Sequence, residues 1–553
     1  MWHVGSIIAG SGIRARFAWL KGRFAVGSAI ALAAFAGVSL TCSPAASAST
    51  SETVIVTASG LLSPVSAVLQ VGGTILAQYH LINGVDASIL TAVEPVLAAL
   101  PGIMVTPDVS VNVQSSAAST GPHPPSDAFL PETGATRLAS NGDIGQGVTV
   151  AVLDTGIDNL PDFSGRLIGG IDLTNEKNPF QDSYGHGTFV AGLIAGDGAS
   201  SNGNYSGEAP GAKLVSIKVA GADGTTHLGT MISGLQWVVD NQSAYAIKVL
   251  NISFGYQSDK STVNNPLDQA IEAVWNSGIT VVASAGNAGP FNGTILSPGD
   301  DPLVITVGAL DDMATPSIAD DEMNDFSSTG PTSPDGWLKP DLVTSGRSVV
   351  SLAAPGSTIY AGYPSARIGS ANFVGSGTSF SAAIASGAVA LILADNPGLS
   401  PGQVKARLLG TASSGPVGNP FVDGHGALDA YAAATSGAMD FVQSAANLTP
   451  IRNGTTVSLS PVRPVDTWNA ALWPETSWSQ AAAGPRWNGT SWNGSDWNGW
   501  TWTGKAWNGA AWAGSAWNGS TWTGKAWNDA AWTGSAWNGT AWSGKAWNGS
   551  AWS

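Results

Sequence analysis

Five short apolar stretches, separated by segments with helical spacing, constrain the fold of this 553-residue chain more than any other feature. Each stretch lacks polar alternation, which is typical of strands that are buried on both faces. The segments between them, such as 229–240 and 263–276, have the apolar spacing of helices. The order predicts an α/β fold, a parallel β-sheet flanked by helices. The five stretches are residues 148–153, 214–219, 249–252, 280–283 and 304–307.

Four polar residues occupy positions where such a fold gathers its functional groups. Asp154 directly follows the first apolar stretch, and ligand sites collect at the carboxyl ends of parallel strands. His186 lies between two glycines, Asn287 lies in a glycine-rich turn after the fourth stretch, and Ser379 precedes an apolar helical run. Taken singly, each has an ordinary structural interpretation: a turn residue, a core histidine, a second turn residue and a helix cap.

Together these four residues predict nucleophilic catalysis. A serine is a weak nucleophile and needs a general base with an orienting group behind it. His186 supplies the base, and Asp154 supplies the carboxylate that fixes its tautomer and stabilises imidazolium. Ser379 at a helix N-terminus is placed where negative charge is favoured. The Asn287 side-chain amide and the Ser379 backbone N–H can then hold the oxyanion of a tetrahedral intermediate.

With these motifs in view, residues 127–435 resemble the subtilisin-like serine peptidases, or subtilases. The resemblance lies in Asp-Thr-Gly-Ile at Asp154, His-Gly-Thr-x-Val-Ala-Gly at His186, Ala-Gly-Asn at Asn287 and Gly-Thr-Ser at Ser379, in the family's order. It implies a serine endopeptidase with polypeptide substrates and Asp154, His186, Ser379 and Asn287 as its catalytic residues.

The same resemblance extends to substrate and metal binding. Ser253, Phe254 and Gly255 resemble the family's substrate-binding segment, which pairs with the substrate backbone as an added strand. No cofactor is required for the chemistry, and structural calcium is frequent in the family, at positions that the sequence leaves unknown. The acidic stretches 311–312 and 320–322 suit calcium, although a solvated acidic loop is the alternative interpretation. Phe189 and Phe380 depart from the family's usual residues.

The N-terminal segment, 1–48, predicts an export signal. Basic residues up to Arg23 precede the apolar stretch 24–40, and Ala46-Ser47-Ala48 offers a signal-peptidase site. A membrane anchor is the rival interpretation, but the apolar run is short and no basic flank follows it. The single cysteine, Cys42, lies before the cut, so the exported form would contain no disulfide. We expect a secreted protein, extracellular or cell-wall associated.

Residues 49–114 predict a small α+β module, followed by a linker over 115–126. Strands are expected at 54–57, 102–105 and 109–112, and helices at 63–69 and 88–100. The module resembles the family's inhibitory propeptide, which implies a self-processing precursor inhibited by its own N-terminal segment. Cleavage is expected between residues 112 and 127.

The C-terminal part consists of a linker over 436–486 and a tail over 487–553 in which tryptophan recurs every five residues. Five residues rotate a helix by about 140° beyond one full turn, and an odd period alternates faces in a strand, so a turn at each repeat is expected. Lys505, Lys525 and Lys545 recur at every fourth repeat, which predicts a β-solenoid with coils of that length.

Two interpretations of the tail remain open. Its indoles can stack on cell-wall or other polysaccharide, or the tail can be a low-complexity spacer or a self-associating array. The alternative function for the whole chain is a surface- or polysaccharide-binding protein in which the tail is the main functional part. A formal net charge of −16 gives no support for nucleic-acid binding.

Overall fold

The computed structural model describes residues 50–113 and 124–437, together with eight short strands beyond residue 447. The predicted export signal and residues 114–123 of the region around the predicted cleavage lie outside the described residues. The same holds for the rest of the C-terminal linker and tail.

An antiparallel sheet forms the N-terminal module. Its strand order is β2-β3-β1-β4, and it packs on helix α1 around a core of its own that includes Val54, Val56 and Val68. The elements are β1 (Ser51–Ala58), α1 (Pro64–Gln70), β2 (Thr74–Tyr79), β3 (Gly84–Leu90), α2 (Glu94–Ala98), β4 (Ile103–Pro107) and β5 (Ser110–Val113).

The helix predicted over 88–100 is wrong in its first half. Strand β3 continues to Leu90, because Ala87 and Ile89 alternate with less buried residues and face the module's core. The helix begins only at Glu94, where Pro95 occupies the first turn, the position at which proline is favoured.

The following domain contains the predicted α/β core. Its strands are β6 (Thr149–Asp154), β7 (Leu167–Asp172), β8 (Lys213–Lys218), β9 (Thr225–His227), β10 (Ile247–Ile252), β11 (Phe254–Gly255), β12 (Thr280–Ser284), β13 (Ile305–Asp311), β14 (Glu322–Met323), β15 (Leu342–Ser345), β16 (Val349–Leu352), β17 (Arg367–Ile368) and β18 (Asn372–Gly375). Its helices are α3 (Phe129–Glu132), α4 (Ala135–Ser140), α5 (His186–Ala195), α6 (Leu228–Asp240), α7 (Gln242–Tyr245), α8 (Pro266–Asn276), α9 (Thr358–Gly362), α10 (Thr378–Asp395), α11 (Pro401–Thr411) and α12 (Ala430–Thr435).

Eight of these strands form one sheet, parallel except at its edge strand β14. The order runs β7-β8-β6-β10-β12-β13, and β13 also pairs with parallel β15 and antiparallel β14. Strands β7 and β8 lie on one side of β6, and the strands from β10 onwards lie on its other side. Such an arrangement opens a crevice at the carboxyl ends of the central strands, next to the end of β6.

Helices cover the sheet. Helix α10 packs on α5 and on strands β10, β12 and β13, while α6 packs on α8. Among the described residues, α10 alone has the length and hydropathy of a membrane span, and 89% of it is buried inside the fold. It is therefore the central core helix. The close packing of α10 against α5 and the sheet holds its N-terminal turn in place.

The remaining described strands lie near the C-terminus. β19 (Leu448–Asn453) and β20 (Thr456–Pro461) form an antiparallel pair within the predicted linker. The other six are very short and form two parallel ladders, in which each strand pairs with the one that lies four pentapeptide repeats further along the chain. They are β21 (Asp496–Trp497), β22 (Thr501–Trp502), β23 (Ala516–Trp517), β24 (Thr521–Trp522), β25 (Ala536–Trp537) and β26 (Ala541–Trp542). The β-solenoid stays a prediction.

Candidate active site

A carboxylate and an imidazole meet at the crevice. Asp154 is the last residue of β6 and His186 is the first residue of α5, and both side chains are buried. His186 Nδ1 lies 2.8 Å from Asp154 Oδ1. Because a carboxylate only accepts hydrogen bonds, Nδ1 carries the proton and Nε2 presents its lone pair. Nε2 makes no hydrogen bond to any described residue, so it is the nitrogen available as a base.

Ser379 lies at the start of α10, as the sequence predicts. It is the second residue of that helix and is buried against the end of the sheet, where its hydroxyl lies 3.4 Å from the backbone oxygen of Ser253. The next residue, Phe380, has its ring centroid 5.6 Å from that of His186. The beginning of α10 and the beginning of α5 therefore face each other across the crevice.

The side chain of Asn287 is oriented by the residue before Ser379. Its Oδ1 accepts hydrogen bonds from both the backbone N–H and the hydroxyl of Thr378, each at 2.9 Å. Two donors on one atom identify that atom as the oxygen, so the NH₂ group faces the other way. The amide is thus anchored to the start of α10 by its oxygen, which directs its donor group away from Thr378.

The predicted substrate-binding segment is paired with the N-terminal module. β5 lies antiparallel between β9 and β11, with Val113 opposite Phe254 and Asn112 opposite Gly255. Ser253 makes a different contact, since its hydroxyl lies 3.3 Å from the backbone oxygen of Ser379. An extended segment of this same protein therefore pairs with the strand at which the sequence predicts substrate binding.

The two phenylalanines that depart from the family's usual residues contact each other. The rings of Phe189 and Phe380 lie 4.3 Å apart between centroids. A Cβ on Gly375 would lie 2.6 Å from the Phe380 ring, so the large side chain at 380 requires a glycine there. The two phenylalanines pack beside His186, whose ring centroid lies 5.6 Å from that of Phe380.

The acidic stretches considered for calcium lie beside helix α3. Asp312 and Asp321 are buried near Glu132 of α3, and Ser345 donates to Glu132 at 3.1 Å. Burial raises the pKa of Asp321 to about 7 and, together with the charge of Asp321, that of Glu132 to about 9. Within residues 50–113 and 124–437, no group of three or more His, Cys, Asp or Glu side chains is placed to hold a metal ion. This cluster lowers its charge by retaining protons.

The comparison with known proteins agrees with this geometry. The model of the Subtilase family matches residues 145–445, more than half of the chain.

The chain belongs to the subtilase family.

Similar curated proteins are themselves peptidases. A relative named Serine protease AprX, from Bacillus subtilis (strain 168), is 42% identical over 306 residues, covering 54% of this chain and 68% of the relative. Subtilisin DY from Bacillus licheniformis is 32% identical over 308 residues, covering 55% of this chain and 97% of the relative. This subtilase is accordingly a serine endopeptidase.

A solved structure supports the fold. Fervidolysin from Fervidobacterium pennivorans, described as a keratinolytic enzyme related to subtilisin, matches with a TM-score of 0.56 and 22% identity. The match covers 75% of this chain and 68% of fervidolysin. The prediction of a subtilisin-like α/β fold with a mostly parallel sheet is therefore confirmed.

Sequence reasoning missed the residues that hold the subtilase's polar groups in place. Thr378, Thr155 and Asp182 all donate to or accept from a predicted site residue or its direct neighbour. The two threonines belong to the motifs Gly-Thr-Ser and Asp-Thr-Gly, and their position beside a predicted site residue could have indicated a supporting role. Asp182 carried no signal, because its contacts depend on how two separate elements meet.

Proposed function

We propose that this subtilase is a secreted endopeptidase that hydrolyses peptide bonds through an acyl-enzyme on Ser379. The observation that carries the proposal is the contact between His186 Nδ1 and Asp154, which leaves Nε2 as the base. The ring of Phe380, the residue after Ser379, lies 5.6 Å from the His186 ring. Export rests on the predicted signal over residues 1–48 and is part of the proposal.

Each step uses one of the four residues. His186 Nε2 takes the proton of Ser379 as its oxygen attacks the substrate carbonyl, and Asp154 stabilises the imidazolium that forms. The NH₂ of Asn287 and the backbone N–H of Ser379 hold the oxyanion. His186 then gives its proton to the leaving amine, which departs and leaves the acyl-enzyme. Water, activated by the same imidazole, releases the carboxylic acid and restores Ser379.

The substrate binds as an extended strand along Phe254 and Gly255. This is supported by β5, which already pairs with that segment and with β9 on its other side. We propose that the N-terminal module is an inhibitory propeptide, and that the chain cuts itself between residues 112 and 127. Inhibition follows from occupancy, since β5 and a substrate strand cannot pair with β11 at the same time.

Labelling and self-processing together test the catalytic assignment. A fluorophosphonate should label the processed wild type at Ser379, and Ser379→Ala should remain an uncut, unlabelled precursor. Ser381→Ala is the matched control, because Ser381 lies in the same helix and its hydroxyl lies near the backbone oxygens of Thr344 and Ser345. A Ser379→Ala chain that still loses its N-terminal module when purified free of proteases would refute self-processing.

A second candidate function concerns the tail. Its strands pair in parallel with a constant step of four pentapeptide repeats, and tryptophan recurs in the sequence at every repeat. We propose that the tail binds cell-wall or other polysaccharide by stacking indoles on sugar rings, holding the peptidase at a surface. The full chain should sediment with insoluble glycans and a chain ending at residue 437 should not. Equal recovery of both in the supernatant would exclude this role.

A further inference from the structure

Asp182 is a buried carboxylate that the proposed chemistry does not use. It precedes His186 by four residues and is 3% exposed. Both of its oxygens have fixed donors. Oδ1 accepts from the Thr155 hydroxyl and from the backbone N–H of Gly185, and Oδ2 accepts from the backbone N–H of Thr188, each at 2.7 Å. Asp182 therefore holds the first turn of α5, the helix that carries His186.

Thr155 links this carboxylate to the catalytic one. Its backbone N–H donates at 2.8 Å to Asp154 Oδ1, the same oxygen that binds His186 Nδ1. Its hydroxyl has a single hydrogen, and the shorter distance of 2.7 Å to Asp182, against 3.3 Å to Asp154, directs that hydrogen to Asp182. The same hydroxyl oxygen accepts from the backbone N–H of Gly187 at 2.9 Å.

We propose that Asp182 and Thr155 form a positioning chain that fixes Asp154 and His186 relative to each other. Asp154 ends a strand and His186 begins a helix, so nothing in either element alone determines the distance between them. Asp182 is bonded to the helix by two amides and to the strand end through Thr155. The inference rests on the proposed roles of Asp154 and His186.

The reason such a chain matters is geometric. Catalysis depends on reacting groups held within a few tenths of an ångström, and a displacement of about 1 Å can cost about 100-fold in rate. Gly187 leaves no room for adjustment, because a Cβ there would lie 2.1 Å from the backbone oxygen of Gly156 and 3.1 Å from the Asp154 side chain. The loop after β6 and the start of α5 are thus in close contact, and Thr155 lies between them.

Thr155→Val tests the proposal and Thr155→Ser is its matched control. Valine has nearly the shape of threonine but lacks the hydroxyl, so it breaks the link to Asp182 and loses the acceptor for the Gly187 backbone N–H. The bonds from Asp182 to Gly185 and Thr188 survive. Each full-length chain is processed, with a trace of wild-type enzyme where needed, and its active sites are counted with a fluorophosphonate. We expect kcat per counted site to fall about 10- to 100-fold in Thr155→Val, with a small change in KM, and to be largely restored in Thr155→Ser.

The pH profile separates positioning from mere stability. With Asp154 less well placed, the imidazolium is less stabilised, so the acid limb of kcat/KM should move to lower pH in Thr155→Val. A variant that loses only active sites or thermal stability, with an unchanged kcat per site and an unchanged pH profile, would overturn the inference.

Asp182→Asn supplies an independent test. Either orientation of the asparagine turns an NH₂ group towards a donor, at Gly185 or at Thr188, so its link to α5 weakens as well. In a double-mutant cycle with Thr155→Val, the losses in kcat should be strongly non-additive, because both changes break the same series of hydrogen bonds between Asp182 and Asp154. Additive losses would contradict the proposal. A wild type that fails to label at Ser379 would instead refute the proposed function.

Discussion

A single neighbour decides what Asn287 can do. An amide carries an acceptor and two donors, and only the donors help to hold an oxyanion. Thr378 binds the acceptor with its backbone N–H and its hydroxyl, and that hydroxyl also accepts from the backbone N–H of Gly286 at 3.1 Å. The side chain is therefore oriented before any substrate arrives.

Replacing Asn287 with alanine should mainly affect the chemical step. We expect kcat to fall about 100- to 1,000-fold with little change in KM, because the lost donor acts on charge that develops in the transition state. Steady-state kinetics on a short peptide would measure both constants. A KM raised by the same factor, with kcat unchanged, would show that Asn287 binds the substrate in its ground state instead.

At this scale the sequence pattern singled out four polar residues but not the residues that contact them. Asp154, His186, Asn287 and Ser379 follow strands or begin helices, and such positions can be recognised from the pattern. Thr378 contacts Asn287 across 91 positions of the chain, a contact that only the folded sheet creates. No local pattern contains such information, since it depends on which strand ends become neighbours.

Besides the pairing of β5, the N-terminal module contacts the peptidase domain at the start of α6. The Tyr79 hydroxyl donates to the backbone oxygen of Gly229 at 2.9 Å, and Asp108 accepts from the backbone N–H of the same residue at 2.8 Å. Asp86 is held close to this point, since a Cβ on Gly229 would lie 3.2 Å from its Oδ2. Burial, with the nearby charge of Asp108, raises the pKa of Asp86 to about 6.

This contact should make release of the module depend on pH. A raised carboxyl pKa in the docked state means that docking favours the protonated form, so affinity is highest at acid pH and falls as the pH rises through about 6. His227 Nδ1 lies 3.6 Å from Asp108 Oδ2. We expect the module to bind roughly tenfold more weakly at pH 7 than at pH 4.5, after allowance for solvent screening.

Inhibition of the processed enzyme by added module would measure this dependence. Asp86→Asn should bind with an affinity that changes much less over the same range, because the substituted side chain cannot ionise. Stronger inhibition by the wild-type module at pH 7 than at pH 4.5 would contradict the prediction.

Glu132 of α3, which lies near Asp312 and Asp321, leads to a second prediction, that the stability of the fold depends on pH. The folded state raises the pKa of Glu132 to about 9 from its ordinary 4.5, so the stability from this group is greatest below about pH 4.5 and is lost as the pH rises through about 9. Glu132→Gln should therefore unfold at a temperature a few degrees higher than wild type at pH 10, with little difference at pH 5. Thermal melts at both values test this, with the exposed Glu322→Gln as control.

Secondary structure was predictable where burial left a clear pattern. Five of the eight strands of the sheet are continuous apolar runs and were predicted to within a few residues. The other three, β7, β14 and β15, were not predicted. The error over 88–90 arose because a strand with one buried face and a short helix follow each other without a break, and only the contact of Ala87 and Ile89 with the module's core separates them.

The four proposed catalytic residues of the peptidase domain all precede the tail. α12 closes the described helices at Thr435, and Ser379 is the last of the four along the chain. We expect a chain ending at residue 437 to keep its kcat/KM for a short soluble peptide within about twofold, because no proposed step uses a later residue. A much larger loss would mean that the C-terminal region supports the active site.

The paired position of β5 has a consequence for timing. While β5 is covalently joined to the domain, it pairs with β9 and β11 at an effective concentration in the millimolar range. The fraction of molecules in which β5 is paired is therefore insensitive to dilution. A single peptide-bond cleavage after it turns the same pairing into a bimolecular equilibrium. From then on, the fraction of enzyme in which β9 and β11 are free of β5 depends on the concentration of the released module. Dilution into the surrounding medium therefore sets how quickly the enzyme becomes free of it.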